Sequence, residues 1–417
     1  MGVILPFLVV LLIVAFFTRV DLFFYLFYTL AGIYILGRVW ARRSLSSVAL
    51  ERGHDERIFW GERFTVRVKV HNRSWLPVLW LQLHDTVPAS LAPGTVFRQV
   101  ISLLPHERLQ LDYTLVGKWR GYYRLGPLIT VGGDLLGSAT YEHHFAEDDH
   151  VIVYPKIVAL RELGLPSQSP FGTLPSHERL FEDPTRIRGV RDYQPGDSLR
   201  QMDWKTSARV GSLQVRRYEP AIALQTALVL NLNEADYPVS HRQQATELGI
   251  VVAASVAAHL IEKRQAVGLI TNGRDPLVVP ATGSDPLAAP ANRSGALAGA
   301  TSSTPSLPLR KGREHLMHLL DLLACIQVAP EGEAVPFLDL LGRKSLGLPW
   351  GSTVVVVTSR EVEGLLETLL TLRRRGLLVL LVLTCPERGF WSTVQRAAQV
   401  GVPALRIWAE QDMDVWR

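Results

Sequence analysis

The chemistry-bearing side chains of this sequence are densest between Arg188 and Arg209. From Arg186 to Arg217 there are eight Lys or Arg against three Asp, a formal balance of five positive charges. Tyr193-Gln-Pro-Gly-Asp197 has the residues of a tight turn, with Pro195 fixing φ and Gly196 admitting φ > 0. Asp197 or Ser198 then stands where it would N-cap a short helix running to about Ala208. On that helix Arg200 would lie beside Asp203 and Trp204. Gly211 suits the helix end, and Leu213 to Tyr218 resumes the alternation of a strand.

Two roles fit these residue types. One is a docking surface for an acidic partner segment, with Arg191, Arg200, Lys205 and Arg209 supplying charge and Tyr193 and Trp204 the aromatic anchors. The other is an internal latch, in which Arg191, Asp192, Asp197, Arg200 and Asp203 pair among themselves and fix a loop between domains. Nucleic acid fits less well, because the basic residues have little aromatic interleaving and no known nucleic-acid module is visible.

Catalytic patterns are missing from the sequence. It has no G-x-S-x-G elbow, no H-E-x-x-H helix, no Walker phosphate loop and no G-x-G-x-x-G. Glu142 to His150 is rich in His and carboxylates, yet nothing fixes a ligand geometry and a charged loop explains it. His315, His318 and Asp321 share a helical face, where ordinary structural histidines suffice. Cys325 and Cys385 make neither a disulfide framework nor a zinc motif, in keeping with a reducing compartment.

The elements that must position this stretch begin with two apolar runs. Gly2 to Phe17 and Leu22 to Gly37 carry no charge, and only Thr18-Arg-Val-Asp21 divides them. Each run is about 24 Å as a helix, so spanning a bilayer needs extension through Val20 and Trp40. Arg38, Arg42 and Arg43 follow the second run and place that end in the cytoplasm. The pattern predicts a multi-pass inner-membrane hairpin contacting lipid through residues 3–40, with a cytoplasmic body.

Phe64 to Val70 alternates apolar and polar, and Leu79 to Leu83, Leu109 to Val116, Tyr122 to Leu125 and Leu128 to Val131 repeat the style, predicting a small β-sandwich. Farther on, apolar strands (Ala223 to Leu232, Ala266 to Thr271, Leu277 to Val279, Thr353 to Thr358, Leu377 to Thr384, Ala404 to Trp408) alternate with helical segments. That predicts a doubly wound, mostly parallel α/β sheet. The expected organisation is a transmembrane hairpin (1–43), a β-sandwich (44–154), a connector with the charged stretch (155–220) and an α/β domain (221–417). The α/β domain carries a mobile Ala/Gly/Ser/Thr/Pro insertion at 280–308.

The string Arg191-Asp-Tyr-Gln-Pro-Gly-Asp-Ser-Leu-Arg-Gln-Met-Asp-Trp-Lys-Thr-Ser-Ala-Arg209, ending in Leu213 to Glu219, resembles the signature of bacterial domain-of-unknown-function family 58. Asn72-Arg-Ser-Trp-Leu-Pro77, Arg120-Gly-Tyr-Tyr-Arg-Leu-Gly-Pro127 and Asp134-Leu-Leu-Gly137 extend the resemblance. It implies a membrane-anchored protein with a von Willebrand factor A-like C-terminal domain that works with a MoxR-type AAA+ ATPase in assembling other proteins or envelope complexes. The metal site of such domains uses D-x-S-x-S and a later acidic residue. Here Asn231, Asn233, Ala235 and Ser359 stand at those positions, leaving Glu234 and Asp236 as the substitute carboxylates, and magnesium is not expected. The expected function is a non-enzymatic membrane adaptor for the ATPase or its client proteins. An enzyme or regulator acting on envelope precursors, or a purely structural scaffold, are the alternatives.

Overall fold

The computed structural model describes residues 4–416 apart from 92–96, 135–139, 146–148, 161–181, 195–201, 221–224, 278–303, 331, 333, 361 and 385–389. The chain forms two units, Met1–Lys156 with Leu320–Ile326, and Ile157–Leu319 with Gln327–Arg417.

The first unit opens with α1 (Ile4–Thr18) and α2 (Asp21–Leu45). α1 stops at Thr18 rather than Val20, because Arg19 takes a left-handed φ of 52° and turns the chain. α2 runs well past Trp40, because its last turn is buried in protein at Ala41, Ser44 and Leu45. Along both helices Phe7, Val10, Phe16, Leu22, Tyr25, Ile35 and Leu36 are exposed, apolar surface with no protein over it.

Ten strands follow: β1 (Val48–Gly53), β2 (Arg57–Ile58), β3 (Arg63–Asn72), β4 (Val78–Asp85), β5 (Phe97–Leu103), β6 (Arg108–Val116), β7 (Gly121–Leu125), β8 (Leu128–Gly133), β9 (Thr140–Phe145) and β10 (Asp149–Val153). They form the sheets β1-β3-β6, β5-β4-β8-β9 and β2-β10-β7. β3 shows why: Phe64, Val66, Val68 and Val70 are buried while Arg67 and Lys69 on the other face are exposed. These side chains meet Val78, Leu81, Leu83 and Leu103 of the neighbouring sheet in one core, which also takes in Leu45 of α2. Leu45 fits because residue 132 is glycine; a Cβ there would lie 2.5 Å from its Cδ2 and 3.1 Å from the Trp80 carbonyl. Inside the same unit Arg52 is buried between Asp85 at 2.8 Å and Asp149 at 3.1 Å. The Tyr113 hydroxyl also donates to Asp85 at 2.5 Å. Burial pushes the Asp85 carboxyl up, against the pull of Arg52 and Tyr113.

The second unit holds β11 (Glu182–Asp192), α3 (Trp204–Val210), β12 (Gln214–Pro220), β13 (Gln225–Leu230), α4 (Arg242–Glu262), β14 (Ala266–Thr271), β15 (Ser306–Arg310), α5 (Arg313–Cys325), α6 (Phe337–Ser345), β16 (Thr353–Thr358), α7 (Leu365–Arg374), β17 (Leu378–Leu383), α8 (Phe390–Gln399) and β18 (Ala404–Arg406). The end of α5, from Leu320, counts with the first unit. Six strands make one mixed sheet in the order β15-β14-β13-β16-β17-β18, parallel except for β15. Val354, Val356, Val379 and Leu381 on one face pack with Phe337, Leu340, Leu365, Leu369 and Ala397 of α6, α7 and α8. Gly249 of α4 lies against Leu230 and Val357 on the other. α4 is long and apolar enough to cross a membrane, but it is mostly buried and serves as a core helix.

Two strand expectations change. Leu277 sits in a turn, and 278–279 lie outside the described residues. The insertion expected at 280–308 lies outside them up to 303, but Ser306 to Pro308 belong to β15, the antiparallel edge strand where a proline is tolerated.

Candidate functional site

The charged stretch builds a hairpin with a small helix in its loop. β11 and β12 pair antiparallel, with Val190 opposite Arg216, Arg191 opposite Val215 and Asp192 opposite Gln214. The helix begins later than the turn chemistry suggests. Asp203, not Asp197 or Ser198, is its N-cap, accepting the Thr206 amide at 3.1 Å, and Gly211 closes it at φ 78°. Asp203 therefore precedes the helix, and its carboxylate goes to Thr206 and to Arg216 Nε at 3.2 Å. These two donors, the amide first, hold it below the usual carboxylate range. Gly196, Asp197 and Arg200 lie outside the described residues.

α3 is stitched to β12. The Asp203 amide donates to the Gln214 carbonyl at 2.9 Å, and the Gln214 amide to Ser207 Oγ at 2.8 Å. Asp192 accepts from Gln214 Nε2 at 2.5 Å, and the Tyr193 amide donates to the Leu213 carbonyl at 2.9 Å. Met202 and Val215 are buried beneath. Apolar side chains of the hairpin and its helix are exposed: Trp204 is 65 % exposed and Val210 61 %, with Val190 and Leu213 also exposed. Arg191, Lys205 and Arg209 are exposed as well. Among the described residues, Asp192, Asp203 and Arg216 thus serve the latch, while Trp204, Val210, Leu213, Arg191, Lys205 and Arg209 are exposed.

The other candidate lies at the carboxyl ends of the sheet strands. The chain winds outward from β13 to β14 and β15, then resumes on β13's other side with β16, so the ends of β13 and β16 flank a topological switch point. Asn231, Asn233, Ala235 and Ser359 do sit there, joined by Asn272, Thr358, Asp236 and Tyr237. Asn231 Oδ1 accepts the Asn233 amide at 3.1 Å and Asn272 Nδ2 at 3.0 Å. A backbone N–H can only donate, so this bond fixes the amide's orientation. Asn231 Nδ2 consequently donates to Asp236 at 2.9 Å and to Thr358 Oγ1 at 3.1 Å. The Tyr237 hydroxyl donates to the Asn231 carbonyl at 2.5 Å, and Ser359 Oγ to the Asp236 carbonyl.

This donor set does not fit a divalent cation. Such an ion gathers oxygens, carboxylates among them. Here the Asn231 amide nitrogen already draws the Asp236 carboxylate and the Thr358 hydroxyl together. Ala235 brings no ligand, and Glu234 pairs with Arg242. Asn272 and Tyr237 escape sequence reasoning because their partners come from separate strand ends; Asn272 directly after an all-buried strand was the available signal. Of the helical trio, His315 and Asp321 are engaged, with His315 Nε2 at 2.8 Å from the Val267 carbonyl and Asp321 accepting the Tyr154 hydroxyl at 2.9 Å.

The model of the family described as "Protein of unknown function DUF58" matches residues 189–289, from the hairpin through the first strands of the sheet. The uncharacterized protein YeaD of Bacillus subtilis (strain 168) is 23% identical over 358 residues, covering 82% of this chain and 78% of that protein. Among solved structures, part of native alpha-2-macroglobulin from Escherichia coli is 18% identical with a TM-score of 0.23, over 27% of this chain and 17% of that chain. The CARDB domain of PF1109 from Pyrococcus furiosus is 16% identical with a TM-score of 0.19, over 25% of this chain and 91% of that chain.

Proposed function

We propose that this chain, which carries the DUF58 domain of unknown function over residues 189–289, is a non-enzymatic membrane-tethered adaptor. It docks a partner protein on the β11–β12 hairpin. The observation that carries the proposal is the division of labour in that hairpin. Asp192 and Asp203 are engaged by hydrogen bonds within the hairpin, while Trp204, Val210, Leu213, Arg191, Lys205 and Arg209 are exposed. Trp and Arg are the side chains that dominate binding energy at protein interfaces, and this charge selects an acidic partner surface. A MoxR-type AAA+ ATPase, or a client it remodels, is the proposed occupant.

The tether is α1 and α2, read as a bilayer-spanning hairpin whose Arg38, Arg42 and Arg43 mark the cytoplasmic side of an inner membrane. The sheet order, with one antiparallel edge strand and helices on both faces, supports reading the second unit as von Willebrand factor A-like. Its switch point is filled by the Asn231 network. A photo-crosslinking residue at position 204 tests the docking surface in cells expressing the ATPase. A crosslink to the ATPase from 204, with none from Trp119 on the first unit, is expected; equal yields at both positions would sink the assignment.

A further inference from the structure

One end of the β body gathers what a bilayer surface recognises. Residues 73–77 join β3 to β4 and residues 104–107 join β5 to β6. Both connections leave the sheets at the end where α2 passes into β1. Hydrogen bonds lock the three together: the Arg73 amide donates to the Ser47 carbonyl at 3.1 Å and the His106 amide to the Ser74 carbonyl at 3.3 Å. The fully buried Asn72 side chain donates to the carbonyls of Leu76 at 2.9 Å and Leu104 at 3.0 Å, and accepts the Ser74 amide at 3.0 Å. These loops are therefore held in shape, and they hold large apolar side chains out in water. Trp75 is 72 % exposed and Leu104 67 %.

The charge around them is basic. Arg42, Arg43, Arg73 and Arg108 are exposed. Of the nearby carboxylates, Glu107 accepts the Leu104 amide at 2.6 Å and Asp134 is buried.

The loops also lie at a defined distance from the apolar span. α2 is one uninterrupted helix from Asp21 to Leu45. Trp40 Nε1 donates to the Pro77 carbonyl at 3.1 Å, tying the helix to the loop that carries Trp75. From Gly37 to Trp40 the helix rises about 4.5 Å, within the headgroup layer of about 5–7 Å that lies outside the hydrocarbon on each side. Trp at the interface and Arg against lipid phosphate are the favoured side chains at that depth.

We infer that this end of the β body is a second membrane contact. Trp75 and Leu104 sit among the headgroups of an anionic bilayer, and Arg42, Arg43, Arg73 and Arg108 engage lipid phosphates. The inference rests on the reading of α1 and α2 as a spanning hairpin. It adds that the body lies on the membrane rather than hanging from a free linker.

The test places an environment-sensitive fluorophore at single cysteines of the full chain: Ile33→Cys in the span, Trp75→Cys and Leu104→Cys in the loops, and Trp119→Cys as control. Trp119 is exposed just beyond the far end of β6, about 30 Å along the strand from Arg108. The background carries Cys325→Ala and Cys385→Ala, and folding is checked by circular dichroism. The protein is reconstituted in phosphatidylcholine vesicles containing phosphatidylglycerol, with and without lipids bearing a nitroxide near the glycerol. Emission at 33, 75 and 104 is expected to shift to the blue and fall roughly twofold with the nitroxide lipid, leaving 119 unchanged. Quenching at 33 with 75 and 104 behaving like 119 overturns the contact and leaves the span intact. No quenching at 33 overturns the span, and this inference with it. The Leu104 probe tests the contact with Trp75 untouched.

Discussion

At Asn231 one amide joins four neighbours. Its oxygen is committed to the Asn233 amide and to Asn272, so its nitrogen holds Asp236 and Thr358 together. In Asn231→Asp the donor becomes a carboxylate oxygen facing the Asp236 carboxylate, which costs about 1–3 kcal/mol of stability. Magnesium should recover part of that loss. Thermal denaturation with and without the ion is expected to show a rise in midpoint for the variant and none for the wild type. Arg52 gives a second prediction at this scale. Arg52→Met strands Asp85 without its cation and should cost about 3–5 kcal/mol in urea denaturation at neutral pH. Burial raises the Asp85 pKa in the folded state, so the stability tied to its proton is present at low pH and lost as pH rises through the folded value. The defect should therefore shrink as pH falls. The substitutions at Asn231, Asn233, Ala235 and Ser359 were legible as residue types. Their common network was not, because Asn272, Tyr237 and Thr358 join it only through folding.

Secondary-structure elements add constraints that single residues do not show. α3 has seven residues and holds by its caps, chiefly Asp203. Its carboxyl pKa is lowered on folding, so its contribution is complete above the ordinary value of 3.8 and disappears as pH falls through the folded value. Protection of the Thr206 and Ser207 amides against exchange, relative to the intrinsic rate at each pH, should fall over that acid range in the wild type. In Asp203→Ala that protection should be low at every pH. The seat of α2 is equally specific: Gly132→Ala drives a methyl into Leu45 and the Trp80 carbonyl, and should cost about 1–3 kcal/mol of β-body stability. Apolar strands such as 266–271 and 353–358 read directly from sequence, since both of their faces are buried and turn residues bound them. β15 did not, because Pro308 and its low-complexity approach mimic a loop. The start of α3 was not legible because the Asp203 cap and its bond to Gln214 of β12 appear only in the fold.

For the whole molecule, the proposal joins a hydrophobic anchor, a β body seated at the anchor's end, an α/β sheet and a basic, aromatic hairpin. The two apolar helices and the strand–helix alternation were visible in the sequence because periodicity and length reveal them. Which side of the charged stretch faces water was not, since latch and docking surface use the same residue types. The decisive measurement is a titration of the MoxR-type ATPase onto the full chain in nanodiscs, comparing wild type with Trp204→Ala/Leu213→Ala. Loss of these two anchors is expected to weaken binding by roughly 30- to 1,000-fold, corresponding to about 2–4 kcal/mol, with the thermal midpoint unchanged. Equal affinity of a folded double variant and the wild type would contradict the account.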